Sequence, residues 1–168
     1  MLIELKKWDT ARKADLMRIC NQIDRGFLSD RIPYPYTEEN AEQWLSMVSQ
    51  REGRDGLFRA VCVEGTAVGT ISIEQKADVY RVDAEIGYFL LEEARSRGVM
   101  TQAVAAMCAL AFEALPLRRI TGLVYGPNFA SRRVLEKNGF VLEGMMHNAV
   151  RKGDQIYPLC IYGKQRNA

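Results

Sequence analysis

The sequence predicts a single α/β (α+β) domain with a central mixed, mostly antiparallel sheet flanked by helices. Three observations lead there. Hydrophobic periodicity along the 168 residues gives the order β-α-α-β-β-β-α-β-α-β-β, about seven strands and four helices. The middle and final strands are joined by short turns, which makes them antiparallel. The β-α-β stretch over 81–126 makes its two strands parallel. Helices on both faces of one sheet bury such a pattern. The length suits one domain over 1–168, and no repeat, linker or low-complexity segment divides it.

Each element has a local reason. "LIELKKW" (2–8) reads as a short strand, and Asp9 and Thr10 are capping residues for the next segment. Leu16, Ile19, Cys20 and Ile23 recur at helical spacing. "RIPYPYT" (31–37) carries two prolines and cannot be a regular element. Thr37 then caps a second helix with Ala41, Trp44, Leu45 and Val48 on one face. "LFRAVCVE" (57–64) and "AVGTISIE" (67–74) form a hairpin through Gly65-Thr66, and "RVDAEIGYFLL" (81–91) is a third strand. An apolar helix over about 98–115 is expected to be buried on both sides. A strand over 118–126 leads to a short helix that starts at Asn128 and stops at Asn138-Gly139. Two strands around "RKGD" end the chain, with Pro158 marking an edge or a bulge.

Composition excludes several classes. A net charge of +2, with basic residues scattered along the chain, gives no nucleic-acid footprint. Cys20, Cys62, Cys108 and Cys160 form no CxxC pair and have one histidine, His147, to join them, so no metal is expected and buried free thiols are. The first residues lack the apolar core of a secretory signal. The run over 98–115 is interrupted by Thr101, Gln102 and Glu113 and is short for a membrane span. A soluble, cytoplasmic protein is the expectation, as monomer or homodimer.

The start of the apolar helix is unusual. A helix N-terminus carries unpaired N–H groups and partial positive charge, which acidic residues usually complement. Here "RSRG" precedes it: Arg95 and Arg97 add positive charge, and Gly98 removes a side chain where the backbone would meet an anion. A phosphate or pyrophosphate would account for this. The alternative is a pair of solvated arginines and a simple turn. Neither a P-loop nor a dinucleotide-binding glycine pattern is present.

Three segments carry a family resemblance: the strand "EIGYFL", the loop "RSRGVM", which matches R/Q-x-x-G-x-G/A at Arg95 and Gly98, and "NFASRRVLEKNGF" (128–140). Together with "RIPYPYTEENAEQWL" they resemble the GNAT acetyltransferases, in particular the RimJ/RimL ribosomal-protein type. One departure is Met100, which stands where the pattern has Gly or Ala. The resemblance implies a GNAT-like fold and acetyl-CoA as cofactor. It implies that the amides of Arg97, Gly98, Val99, Met100 and Thr101 cradle the pyrophosphate. Phe89, Leu90 and Leu91 would bind the pantetheine arm like an added strand. It places Asn128 on the pantetheine, Ser131 near the thioester sulfur, and Arg132 or Arg133 at the 3′-phosphate. Read without it, Asn128 is a helix N-cap and Ser131 a first-turn polar residue.

Acetyl transfer to an amine needs placement, amine deprotonation and a stabilised leaving thiolate. Glu85 is the candidate base: alternation sets Asp83, Glu85, Gly87 and Phe89 on one face, and Gly87 leaves room for a ligand. Its position also resembles the catalytic glutamate of the histone-acetylating branch. The tyrosine acid of the wider superfamily would fall at Leu135, so that role is missing and Ser131 is the substitute. Tyr34 and Tyr36, on a constrained loop, are candidates for the acceptor site or for sealing the core edge. The acceptor expected is a protein N-terminal α-amine or a small-molecule amine. A non-catalytic acyl-CoA-binding module is the rival from another class.

Overall fold

The computed structural model describes residues 1–167. The strands are β1 (Ile3–Lys7), β2 (Gly56–Val63), β3 (Thr66–Gln75), β4 (Asp83–Leu90), β5 (Arg119–Tyr125), β6 (Val141–Lys152) and β7 (Gln155–Gln165). They form one sheet in the order β1-β2-β3-β4-β5-β7-β6. Every neighbouring pair is antiparallel except β4–β5, as the sequence pattern requires. The helices are α1 (Lys13–Gln22), α2 (Glu38–Arg51), α3 (Val99–Ala114) and α4 (Phe129–Lys137).

The strand alternation of β2 divides the core. Leu57, Val61 and Val63 pack with α3 on one face, while Phe58, Ala60 and Cys62 pack with α1 and α2 on the other. With both faces covered, all eight residues of β2 are buried. Each large apolar side chain so buried contributes about 1.5–3 kcal/mol.

Local chemistry fixes the boundaries. Asp9 caps the turn that leads into α1, and Thr37 with Asn40 forms a reciprocal capping box on α2. Glu64 (φ 48) and Gly65 (φ 82) make a tight left-handed turn between β2 and β3. Gly139 (φ 80) ends α4. α3 differs from expectation in one respect. Val99, Met100, Ala103, Val104, Met107, Cys108 and Ala111 are buried, but Gln102, Ala105, Ala106 and Ala109 face solvent. Alanine is small enough to stand exposed at little cost and strongly favours helix, so the helix reads as greasier than its position demands. Pro158 lies inside the sheet, where the ladder between β6 and β7 shifts between Met146 and Val150. The bulge, not an edge, absorbs its missing N–H.

All four cysteines are buried and free. Burial pushes the Cys20 thiol up to about 12 and the Cys108 thiol up to about 11. No helix among the described residues is long and apolar enough to cross a membrane.

Candidate active site

The parallel ladder between β4 and β5 runs from Asp83↔Arg119 to Ile86↔Gly122 and stops, although both strands continue. Beyond it, β4 stays with β3 through Gly69↔Leu90, and β5 stays with β7 through Tyr125↔Leu159. α4 holds the parting point: a Cβ on Gly122 would lie 2.7 Å from Leu135 Cδ1, so only glycine lets that helix approach. The two strands splay around a cavity of about 500 Å³.

The splay exposes main-chain groups. Lys76 donates its N–H to Asp83 O and Leu91 donates to Val68 O, so odd-numbered residues of β4 bond to β3 and even-numbered ones turn toward β5. Tyr88 and Leu90 therefore present free N–H and C=O groups to the gap. Phe89 and Leu91, expected to share that edge, bond to β3 and lie outside it by phase. Likewise Gly126 donates to Pro158 O on β7, which leaves Leu123 and Tyr125 facing the gap from β5.

At one end of the gap lies the Arg-Gly loop. Ser96 (φ 59) and Gly98 (φ 74) are both left-handed and curl the backbone on either side of Arg97. The first helical bond of α3 is from Gln102 N–H to Gly98 O, so the amides of Val99, Met100 and Thr101 have no partner within the helix. No side chain caps this end and no acidic residue sits in its first turn, whereas α1 has Asp15 and α2 has Glu38 and Glu39 there. A Cβ on Gly98 would meet nothing within 4 Å, so the space above the loop is open. A second cavity, about 410 Å³, adjoins it and is lined by Thr101, Arg133 and Lys137 among others. Unpaired amides, missing acid and flanking cations are what a bound phosphate requires.

The other predicted residues divide between core, cavity and surface. Met100 is 6 % exposed and packs into the α3-side core, so its bulk joins the hydrophobic layer while its edge borders both cavities. Val99 is likewise buried, leaving its amide as the useful group. Arg97 is exposed, and Arg95 pairs with Asp24 at 3.5 Å. Arg133 is exposed beside the second cavity, whereas Arg132 is engaged by Tyr162 Oη and Gly126 O. Asn128 lines the main cavity and also caps α4, accepting from Ser131 N–H at 3.3 Å.

Glu85 and Ser131 line the same cavity from opposite faces of the sheet. Glu85 is partly buried, and its carboxylate has no hydrogen-bond partner among the described residues. Burial raises its carboxyl above the usual carboxylate range, opposed by the positive charges of Lys76 and Arg31. Ser131 is met by a residue that sequence reasoning missed. Tyr88 Oη lies 2.8 Å from Ser131 Oγ and 3.3 Å from Ser131 O. Burial pushes the Tyr88 phenol up to about 12, so it remains a donor at neutral pH. Its signal was present in the alternation, which sets Tyr88 with Ile86 on the α3–α4 face, but nothing in the chain order pairs it with α4.

The α1–α2 face of the cavity is aromatic. Phe27 meets Tyr157 edge-on at 5.9 Å, and Tyr157 stacks on Tyr125 at 6.3 Å. Neither predicted loop tyrosine lines the cavity. Tyr34 is exposed under the Arg25 guanidinium, 5.1 Å away. Tyr36 is 6 % exposed and its main chain is held on both sides by the Asn21 side chain, which makes it a packing residue of α1 and α2. His147 is exposed on β6.

Comparison with known proteins bears on the family and the fold. The family model described as an acetyltransferase (GNAT) domain matches residues 3–141. The probable N-acetyltransferase YjcK of Bacillus subtilis is 35% identical over 121 residues, covering 69% of this chain and 66% of the relative, just under two thirds of its length. The ribosomal-protein-serine acetyltransferase of Escherichia coli is 30% identical over 101 residues, 60% of this chain and 56% of that protein. Among solved structures, the RimL ribosomal L7/L12 alpha-N-protein acetyltransferase in complex with coenzyme A superposes with a TM-score of 0.84 at 21% identity, covering 97% of this chain and 93% of that one.

Proposed function

Because the chain belongs to the GNAT acetyltransferase family, we propose that it transfers the acetyl group of acetyl-CoA to a primary amine by direct attack in a ternary complex. The observation that carries this reading is the splay of β4 from β5, which puts Glu85 and the Tyr88–Ser131 pair on one cavity from its two faces.

The residues present suit acetyl-CoA. The amides of Val99 to Thr101 and the open Gly98 turn would take its pyrophosphate, with Arg97 and Arg133 near its other negative charge. The free edge of Tyr88 and Leu90 would hydrogen-bond its pantetheine arm as a strand adds to a sheet. Acetyl-CoA supplies the thioester carbonyl that the amine attacks. Glu85 takes the proton that the amine sheds, directly or through one water. The Ser131 hydroxyl donates a hydrogen bond to the departing sulfur. Tyr88 Oη, 2.8 Å from Ser131 Oγ, would hold the serine hydroxyl in place, and with Tyr88 as the donor of that bond the serine proton stays free for the sulfur.

For the acceptor, a protein N-terminal α-amine is the leading reading. Its pKa of about 7.7–8.0 asks little of a carboxylate base, against about 10.4 for lysine. Two of the relatives are named for ribosomal acceptors, which supports this reading, and another is named for phosphinothricin, a small molecule. A small-molecule amine is the second reading, favoured by the aromatic face of the cavity. The test is incubation of the protein and acetyl-CoA with a library of peptides and amines, with products read by mass spectrometry. Acetylated peptide N-termini support the first reading and acetylated small amines the second. CoA binding with no acetylated product overturns both.

A further inference from the structure

Building on the acetyl-transfer reading, we infer that the acceptor is a primary amine carried on a large apolar body and lacking a second charge close to the amine. The acceptor half of the cavity specifies this. Alternation puts Glu85, Leu123 and Tyr125 on the α1–α2 face, and the β5–β7 and β6–β7 registers put Leu159, Tyr157 and Val150 on that face with them. Phe27 closes the row by its edge-on contact with Tyr157. Phe27 and Leu123 are 39% and 41% exposed, although side chains of this kind gain most from burial. Each is turned into the cavity, where an apolar ligand would cover it. The apolar surface continues outward to Met146, which stands opposite Leu159.

Of the charged residues that line the cavity, one is left free to meet an amine. The carboxylates that line the cavity are Glu85 and Asp24. Asp24 already accepts from Gly26 N–H at 2.9 Å and pairs with Arg95 at 3.5 Å. Glu85 is left as the carboxylate without a partner among the described residues, at the place where the amine must arrive. Arg95 is the cation that lines the cavity, and it is engaged by Asp24. A polyamine would bring a second ammonium with no free carboxylate to meet it. A free amino acid would bring a carboxylate with no free cation in the cavity wall, because Arg31, whose charge reaches Glu85, is not part of that wall. An uncharged apolar body matches the remaining walls.

Two sources could carry this chemistry, a hydrophobic N-terminal residue of a peptide or an arylalkylamine, and the experiment separates them. The full chain is incubated with acetyl-CoA and, in parallel, with 2-phenylethylamine, ethylamine, spermidine, free phenylalanine, and peptides identical except for N-terminal Phe, Leu, Ser or Asp. Products are identified by mass spectrometry and kcat/KM is compared. The expected result is a preference of roughly tenfold or more for phenylethylamine over ethylamine, or for the Phe and Leu peptides over the Ser and Asp peptides. Leu123→Asp should abolish that preference while leaving the melting temperature close to wild type, because the side chain is half exposed. A preference for spermidine, free phenylalanine or the Ser or Asp peptide overturns the inference, as does an equal rate across each series. If no acceptor of any class is acetylated, the acetyl-transfer reading itself falls and takes this inference with it.

Discussion

At pH 7 an ionised Glu85 carries a cost, because its folded-state pKa lies above its unfolded value. The protonated form is the one the fold favours, so the contribution of Glu85 to stability is present at low pH and is lost as pH rises through the raised pKa. Glu85→Gln should therefore melt no lower than wild type at pH 7 to 8, while acetylation falls by about 10²–10⁴-fold. The acid limb of the wild-type pH–rate profile should sit above the ordinary carboxylate range and be absent in the variant. Thermal melts and initial rates across pH check both statements. Ser131 and Tyr88 call for a double-mutant cycle. Ser131→Ala should cost about ten- to a hundredfold in kcat, the value of one hydrogen bond to a charged atom. Tyr88→Phe should cost less, and the double variant no more than Ser131→Ala alone, because Tyr88 acts through the serine. Additive losses would show that the two hydroxyls work separately.

Among the elements, the loop before α3 trades conformational ease for function. Gly98→Ala adds no clash, so its cost is that of holding an L-residue in the left-handed region, about 1–2 kcal/mol. That corresponds to a fall of roughly 2–8 °C in melting temperature for a chain of this size, and the KM for acetyl-CoA should rise more than kcat falls. α4 imposes the opposite constraint. Leu135 is fully buried over Gly122, so Leu135→Tyr, which would restore the superfamily's acid, overpacks the parting point of β4 and β5. A loss of about 1–3 kcal/mol, read by denaturant melts, is expected in place of a gain in rate.

Element types were legible in the chain because periodicity, caps and turns act locally: Thr37 before α2 and Gly139 after α4 stand where their chemistry puts them. The Arg95–Gly98 motif and Glu85 were legible for the same reason. What was not legible depends on pairing across the sequence. The phase of the free edge, Tyr88 and Leu90 and not Phe89 and Leu91, is set by which β3 residues face β4. The Tyr88–Ser131 contact spans 43 positions. Tyr36 could be read as a recognition residue until Asn21 was seen to hold it in the core.

The whole molecule is a sheet opened on one line and held by helices on both faces. A ligand that bridges the opening should tie its halves together. Added at a hundred times its Kd, CoA should stabilise the fold by about 2.7 kcal/mol, or roughly 5–10 °C in melting temperature. Hydrogen exchange should report the same event locally, with the amides of Tyr88 and Leu90 slowing on CoA addition and those of β2 unchanged. A general slowing across the sheet without a specific effect at β4 would argue against the added-strand arrangement.

The burial of all four cysteines has a practical consequence at the bench. Cys20 and Cys108, held near 12 and 11, stay protonated and sheathed at pH 8. An aromatic disulfide reagent that colours on meeting a free thiol would find little on the native protein. The proposed acetyl transfer would liberate one small, accessible thiol per turnover, so it can be followed continuously by absorbance against a quiet background, with the folded protein itself serving as the blank.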